Sequence, residues 1–254
     1  MSSKILRRTL FTGAAAMALT FSAAAVALSI NLGGGEQVKG DGKSVRETRT
    51  VDGFESIRLA GHFDVVVRQS PTTRVELEGD SNLLPYVETR VVDGHKGKVL
   101  EIGIKRGINV YANRPLKIEV DLATLRALGI SGSGKAEVLS FKAGALDLNV
   151  AGSGTVLARQ LQADKLSVSV AGSGDVVAEG RATELGISIA GSGDVKTGEL
   201  VADEVKVSIS GSGDASVQAN RKLKVSIAGS GDVRYTGTAE VSSSIAGSGS
   251  VKKL

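Results

Sequence analysis

Four aspartates recur at near-regular spacing in the second half of the chain, and they are the residues best placed to do chemistry. Asp175, Asp194, Asp214 and Asp232 each follow a Gly-Ser-Gly tripeptide directly. If equivalent positions stack, their carboxylates lie about 5 Å apart and repel one another unless they are neutralised. A row of Ca²⁺ ions is one interpretation, because Ca²⁺ prefers oxygen ligands. We favour the other, in which each carboxylate hydrogen-bonds the backbone of its own corner and no metal is bound.

The serines, histidines and tyrosines do not form a catalytic pattern. The serine of each Gly-Ser-Gly lacks the neighbours of a nucleophile elbow, and the only histidines, His62 and His95, cannot serve seven such serines. Cysteine is absent, which excludes thiol catalysis and disulfides. Tyr86, Tyr111 and Tyr235 are too few and too scattered in the sequence to form sugar platforms. The sequence therefore predicts a protein that is not an enzyme and needs no cofactor.

The elements that would position the aspartates form a repeat. The corner glycines are Gly132 and Gly134, Gly152 and Gly154, Gly172 and Gly174, Gly191 and Gly193, Gly211 and Gly213, Gly229 and Gly231, and Gly247 and Gly249. Apolar residues precede each corner at every second position, as at Leu166, Val168 and Val170, which is typical of a strand with one buried face. The recurrence predicts an all-β fold, a right-handed parallel β-helix or β-solenoid with coils of about 16–20 residues.

The region before the Gly-Ser-Gly repeats contains an eighth corner with an altered sequence. Residues Gly61-His62-Phe63-Asp64 have the frame of the later corners, with His62 and Phe63 replacing Ser-Gly. We therefore interpret 51–254 as a single solenoid domain, with N-terminal capping coils and a hairpin over 51–130 and the Gly-Ser-Gly repeats over 131–254. His62, Phe63 and Asp64 form a candidate interaction corner.

The N-terminus has the pattern of an export signal. Three cations occupy residues 1–8, an uncharged and alanine-rich run follows to Leu32, and Ala-x-Ala sequences lie within it. Residues 1–27 are predicted to be a signal peptide or an N-terminal membrane anchor, and 28–50 a flexible lead-in. The body then lies outside the cytoplasm, in the periplasm, on the outer-membrane surface or in the medium. Membrane attachment is expected through the N-terminal segment only.

The charge of the body gives no reason to expect nucleic acid as a partner. The formal net charge is +4, and Lys4, Arg7 and Arg8 of the predicted signal contribute three of these charges. The remaining chain is therefore close to neutral, whereas nucleic-acid-binding proteins carry concentrated positive charge.

Several segments resemble one bacterial family. Phe54-Glu55-Ser56-Ile57, the corner at Gly61, the stretch Asn82-Leu83-Leu84-Pro85-Tyr86 and the later Gly-Ser-Gly-Asp-Val units are similar to the "putative autotransporter adhesin, head GIN domain" proteins. The resemblance covers about residues 50 to 251. It implies an exported or surface β-helical domain, and it supplies no catalytic residues.

The function predicted from these features is that of a non-catalytic, exported β-solenoid, an adhesin-like or scaffold module that binds a protein or glycan of the cell envelope. The alternative is an envelope β-helix protein that binds or cleaves polysaccharide. A third prediction concerns assembly, because the last coil ends in Val251-Lys252-Lys253-Leu254 with no covering segment. Such an open strand edge favours end-to-end self-association.

Overall fold

The structure, a computed structural model, describes residues 35–254. The predicted signal segment 1–27 and the first part of the predicted lead-in lie outside the described residues. Within 35–254 the regular structure is almost entirely β-strand. No helix in this part of the chain is long and apolar enough to cross a membrane.

The strands are β1 (Glu36–Lys39), β2 (Ser44–Arg49), β3 (Ser56–Ala60), β4 (Phe63–Gln69), β5 (Arg74–Asp80), β6 (Val87–Gly94), β7 (Gly97–Ile104), β8 (Ile108–Tyr111), β9 (Leu116–Leu122), β10 (Ala127–Gly132), β11 (Lys135–Leu139), β12 (Lys142–Gly152), β13 (Thr155–Gly172), β14 (Asp175–Gly191), β15 (Val195–Gly211), β16 (Ala215–Gly229), β17 (Asp232–Thr236), β18 (Glu240–Gly247) and β19 (Ser250–Lys253). A 3₁₀ turn spans Leu84–Tyr86. Strands β1 and β8 form a separate pair, and the other strands form one continuous sheet.

Equivalent residues of successive coils stack directly on one another from β12 to β16. Val168 lies between Leu148 and Ile187 in the parallel register, and all three are buried. The outward serines stack in the same way, with Ser188 between Ser169 and Ser208. The period-two pattern thus places aliphatic side chains inside and hydroxyls outside. The stacked parallel coils confirm the predicted solenoid.

Both glycines of each corner are required by the stacking. Gly172 has φ 120°, which disfavours residues with a Cβ, and a Cβ there would lie 2.6 Å from the carbonyl oxygen of Gly152. A Cβ on Gly174 would lie 2.5 Å from the carbonyl oxygen of Gly154. The chain therefore turns where consecutive backbones touch, and only glycine fits at these two positions.

The coils shorten through the turn opposite the corners. Corner glycines stay paired throughout, and the last pair, Gly229 with Gly247, is 18 residues apart. The register shifts instead between Ala158 and Leu161, and again between Thr197 and Val201. The outer turn therefore loses residues, and the lower bound of 16 residues predicted for a coil is wrong.

The first coils carry the same architecture with different side chains. Strand β3 stacks on β10, and β4 stacks on β11, both in parallel. This places Gly61 beneath Gly132, so the eighth corner predicted from sequence is confirmed. Beyond it, β6 and β7 form the predicted hairpin at Asp93-Gly94, and β5 pairs antiparallel with β9.

The predicted flexible lead-in is wrong for residues 36–49. Strand β1 pairs with β8, and β2 pairs antiparallel with β5 along six residues. The intervening turn is held by side chains, since the Ser81 hydroxyl donates to Asp41 at 2.6 Å and Asn82 accepts from the Asp41 amide at 3.0 Å. The Ser81 hydroxyl and the Lys43 amide, which both donate to the Asp41 carboxylate, lower its pKa.

The last coil leaves its inward positions open. Val241 is 36% exposed and Ile245 is 42% exposed, whereas Val225 and Ile227, the residues equivalent to Ser243 and Ile245 in the preceding coil, are buried. Self-association through this coil stays a prediction, and light scattering of the purified protein would test it.

Candidate binding site

The four aspartates form hydrogen bonds between coils and do not bond their own corners. The Asp175 carboxylate accepts from the Asp194 amide at 3.3 Å, and the Asp194 carboxylate accepts from the Asp214 amide at 3.3 Å. Asp214 accepts in turn from the Asp232 amide at 2.8 Å. The prediction that each carboxylate bonds the backbone of its own corner is therefore wrong, because the amide that it accepts belongs to the next coil. Each carboxylate instead joins its coil to the next one.

These carboxylates replace a backbone acceptor. In the earlier coils the amide at the same position donates to backbone, as Asp175 does to the Gly154 carbonyl at 3.0 Å. From Asp194 onwards the amide donates to a carboxylate instead. In each of these carboxylates Oδ1 accepts the amide of the next coil. No group of three or more acidic or histidine side chains within residues 35–254 is arranged to hold a metal ion.

The row of aspartates ends at Asp232, because the equivalent residue of the next coil is Ser250. The contacts of Ser250 lower the pKa of Asp232. The Ser250 hydroxyl donates to the Asp232 carboxylate at 2.7 Å, and the Ser250 amide donates to the same oxygen at 2.9 Å. The hydroxyl bond is the main cause of a lowered pKa for Asp232, with Lys252 and Arg234 contributing attraction. The fifth aspartate, Asp64, lies in the same row but between Lys117 and Lys135.

The candidate interaction corner divides into an exposed part and a buried part. His62 is exposed, and its Nδ1 lies 3.3 Å from the Oγ of Ser133 in the next corner. Phe63 is only 1% exposed and belongs to the core. Its ring packs against Gly61, where a Cβ would lie 3.1 Å from the ring. Phe63 therefore belongs to the interior of the solenoid and is unavailable to a partner.

A concave pocket lies beside His62, which we call the His62 pocket. Its volume is about 650 Å³. The polar lining comes from His62 together with Asn109, Tyr111, Asn113 and Arg114. Ile104, Val110 and Leu116 are among its apolar lining residues.

Another concavity, a groove of about 810 Å³, lies on another side of the solenoid. The groove has a row with Lys142, Gln162 and Arg181 and a neighbouring row with Asp164 and Thr183. Its lining contains no aromatic residue and carries charges of both signs. The His62 pocket is the stronger candidate, because its lining combines larger apolar residues with one aromatic residue and a few polar groups, as ligand sites usually do.

Charge and exposure distinguish the His62 pocket further. None of its lining residues is an aspartate or a glutamate. Arg114 belongs to none of the ion pairs formed within residues 35–254. Tyr111 is 54% exposed, although it lies on a strand that is paired along its length with β1. The lining thus includes an exposed tyrosine on a paired strand and, just after this strand, an arginine that forms no ion pair within residues 35–254.

Sequence reasoning found His62 but missed most of this pocket. It took Tyr111 as one of three scattered tyrosines and gave no role to Arg114. The local signal was the segment Asn109-Val110-Tyr111-Ala112-Asn113-Arg114, in which polar or aromatic residues alternate with small apolar ones. That pattern places Asn109, Tyr111 and Asn113 on one side of an extended segment.

The stacked parallel coils make this protein a β-solenoid. Residues 53–239 match the sequence model of the family described as "Putative auto-transporter adhesin, head GIN domain". The chain belongs to that family, as the resemblance implied.

Solved structures are similar over most of the chain. A putative adhesin from Bacteroides fragilis has a TM-score of 0.79 and 25% identity, and the match covers 85% of this chain and 100% of that one. A putative lipid binding protein from Parabacteroides distasonis has a TM-score of 0.70 and 28% identity, with 86% and 100% covered. A putative adhesin from Parabacteroides merdae has a TM-score of 0.66 and 29% identity, with 86% and 99% covered. No curated protein gives a significant match.

Proposed function

We propose that the protein is an exported, non-catalytic module of adhesin type, which binds a glycan or protein of the bacterial cell envelope at the His62 pocket. The observation that carries this proposal is the lining of the pocket. His62, Asn109, Tyr111, Asn113 and Arg114 line the pocket together with apolar residues such as Ile104 and Leu116, and Tyr111 is exposed. Such a combination of a hydrophobic surface with few polar groups suits recognition of a ligand.

Binding is favoured over cleavage because the pocket lacks the groups that hydrolysis requires. Glycoside hydrolases generally place a pair of carboxylic side chains across the scissile bond. The lining of the His62 pocket contains no carboxylate, and the nearest member of the aspartate row, Asp64, is not among its residues. The pocket can therefore hold and orient a ligand, but it offers no acid–base pair.

Export is supported by the N-terminal sequence and by membership of an adhesin family. The three cations followed by an uncharged, alanine-rich run are typical of a secretory signal. Fractionation of cells followed by N-terminal sequencing of the mature protein tests this part of the proposal. Recovery of the intact chain in the cytoplasm would contradict it.

The binding site is tested with purified protein on arrays of envelope glycans and in pull-downs of envelope proteins. We expect Tyr111→Ala to abolish capture, because it removes the exposed ring without touching the core. Val45→Ala is the matched control, since Val45 is also exposed and apolar but lies on β2 outside the pocket. Capture that is lost equally in both variants, or in neither, would contradict binding at this pocket. Turnover of a captured polysaccharide would contradict the non-catalytic assignment.

A further inference from the structure

We infer that the His62 pocket takes an acidic sugar, a pyranose ring that carries a carboxylate. This inference rests on the proposed function, and it names the chemical class of the ligand. It follows from three features of the pocket: the sign of its charges, its single exposed aromatic ring, and the position of its amides.

The charges of the pocket have one sign. Arg114 is its only permanently charged lining residue, and no acidic residue lines it. A guanidinium presents paired N–H donors that match the two oxygens of a carboxylate. Because Arg114 forms no ion pair within residues 35–254, these donors are available to a ligand. The imidazole of His62 adds a further nitrogen that can hydrogen-bond a ligand. Its Nδ1 lies beside Ser133, whereas its Nε2 forms no hydrogen bond within the described residues.

A second cavity beside Arg114 contains carboxylates. Arg114 also lines a small cavity of about 190 Å³ with Glu78 and Asp80. Glu78 already pairs with Arg46 at 3.0 Å, and the buried Oδ2 of Asp80 has no hydrogen-bond partner. These carboxylates favour the cation electrostatically without forming an ion pair with it. Arg114 therefore lines both the His62 pocket and a small cavity that contains two carboxylates.

The uncharged groups favour a sugar over a simple anion. The ring of Tyr111 is exposed on a paired strand, so it offers a flat apolar surface with little loss of side-chain freedom. Asn109, two residues before Tyr111 on β8, and Asn113, just after this strand, also line the pocket, and each amide can donate to one hydroxyl and accept from another. A pyranose has both an apolar C–H face and a rim of hydroxyls, and inorganic anions have neither.

The test is titration calorimetry of the purified full chain with two short oligosaccharides that differ only in charge, one of glucuronate and one of glucose. We expect the glucuronate oligosaccharide to bind more tightly. Arg114→Gln should weaken its binding by about tenfold or more, because it removes a charge-assisted hydrogen bond, and should leave glucose binding unchanged. Tyr111→Ala should weaken both ligands, and Tyr111→Phe should retain most of the binding. Arg234→Gln is the matched control, since Arg234 is exposed on β17 outside the pocket.

Each contrary outcome is distinct. Equal affinity for glucuronate and glucose, or an Arg114→Gln effect no larger than that of Arg234→Gln, would overturn the acidic-sugar inference while leaving the proposed function standing. Acetate, inorganic phosphate or vesicles of anionic lipid that compete as well as glucuronate would overturn it in favour of a general anion site. An envelope partner that binds Tyr111→Ala and Arg114→Gln as well as the unaltered protein would overturn the proposed site itself.

Discussion

The first corner of the solenoid and the seven corners that follow it share a backbone path but differ in what they can do. At the repeated corners, glycine is required twice and the intervening serine is exposed. Each of these corners is therefore a point of close contact between the backbones of successive coils. At the first corner, the second glycine is replaced by Phe63, which closes the core, and the serine by His62, which lines a pocket. The repeated corners are therefore structural, and the candidate site lies at the one corner whose residues depart from the repeat.

The cause of this difference is what lies on each side of the corner. A repeated corner has a near-identical coil above and below it, so any added atom meets backbone. The corner at Gly61 is followed by Gly132 on one side, while on the other side β4 pairs with β9 and the chain departs into β8 and its loop. A large side chain therefore fits inward at Phe63, and the space outside becomes the pocket.

The largest expected effect is at the core residue that distinguishes the first corner. Phe63→Gly restores the glycine of the other corners but removes a fully buried ring, so we expect a loss of about 3–5 kcal/mol in the free energy of unfolding. His62→Ser, which restores the serine, should change stability by less than about 0.5 kcal/mol, because His62 is exposed. Urea denaturation of both variants measures the two changes. A similar loss in both would show that the corner does not divide into a buried and an exposed half.

A repeated corner should respond in the opposite way, losing stability when an atom is added. Gly174→Ala places a Cβ 2.5 Å from the Gly154 carbonyl oxygen, so we expect it to cost about 1–3 kcal/mol. Gly186→Ala is the matched control, because Gly186 lies in the neighbouring coil with no atom within 4 Å of the added Cβ and has no positive φ. That change should be neutral or slightly stabilising. Thermal unfolding distinguishes the two, and equal melting temperatures would contradict the contact argument.

The sequence predicted the repeated region far better than the region around the site, for a physical reason. The alternation of apolar and polar residues, as at Val168 and Ser169, predicts which side chains face the core. Because the coils stack in register, this local pattern is enough to predict the strands of the repeated region. Strand β2 has no such pattern, since it is polar and almost fully exposed and is held by pairing with β5. The His62 pocket depends on contact between His62 and a segment near Tyr111, far along the chain, and spacing alone does not reveal such contacts.

A smaller effect separates the aspartates of the two regions. Asp214 accepts the Asp232 amide across coils, so we expect Asp214→Ala to cost about 1 kcal/mol, reduced from the value of a buried charged hydrogen bond by partial exposure. Asp214→Asn keeps an acceptor oxygen and should recover much of that loss. Asp64→Ala is the control from the first corner, where Asp64 accepts no backbone amide within the described residues, and it should change stability less. Urea denaturation that ranks Asp64→Ala above Asp214→Ala would contradict the role of the row between coils.

The smallest expected effect is a pH dependence at the end of the row. The pKa of Asp232 is lowered in the folded protein, chiefly by the Ser250 hydroxyl, so the ionised form is favoured by folding. A carboxyl whose folded pKa lies below its unfolded value contributes stability above the unfolded pKa, and that contribution is lost as the pH falls through the folded pKa. Ser250→Ala removes the first cause and should raise the pKa of Asp232 towards its ordinary value, while the Ser250 amide bond keeps part of the shift. Carboxyl NMR titration of both proteins measures the change, with Ser248→Ala as the control because Ser248 is exposed and does not contact Asp232 through its hydroxyl. An unchanged Asp232 titration in Ser250→Ala would assign the lowered pKa to the Ser250 amide and to the attraction of Lys252 and Arg234, and would mean that the hydroxyl does not contribute.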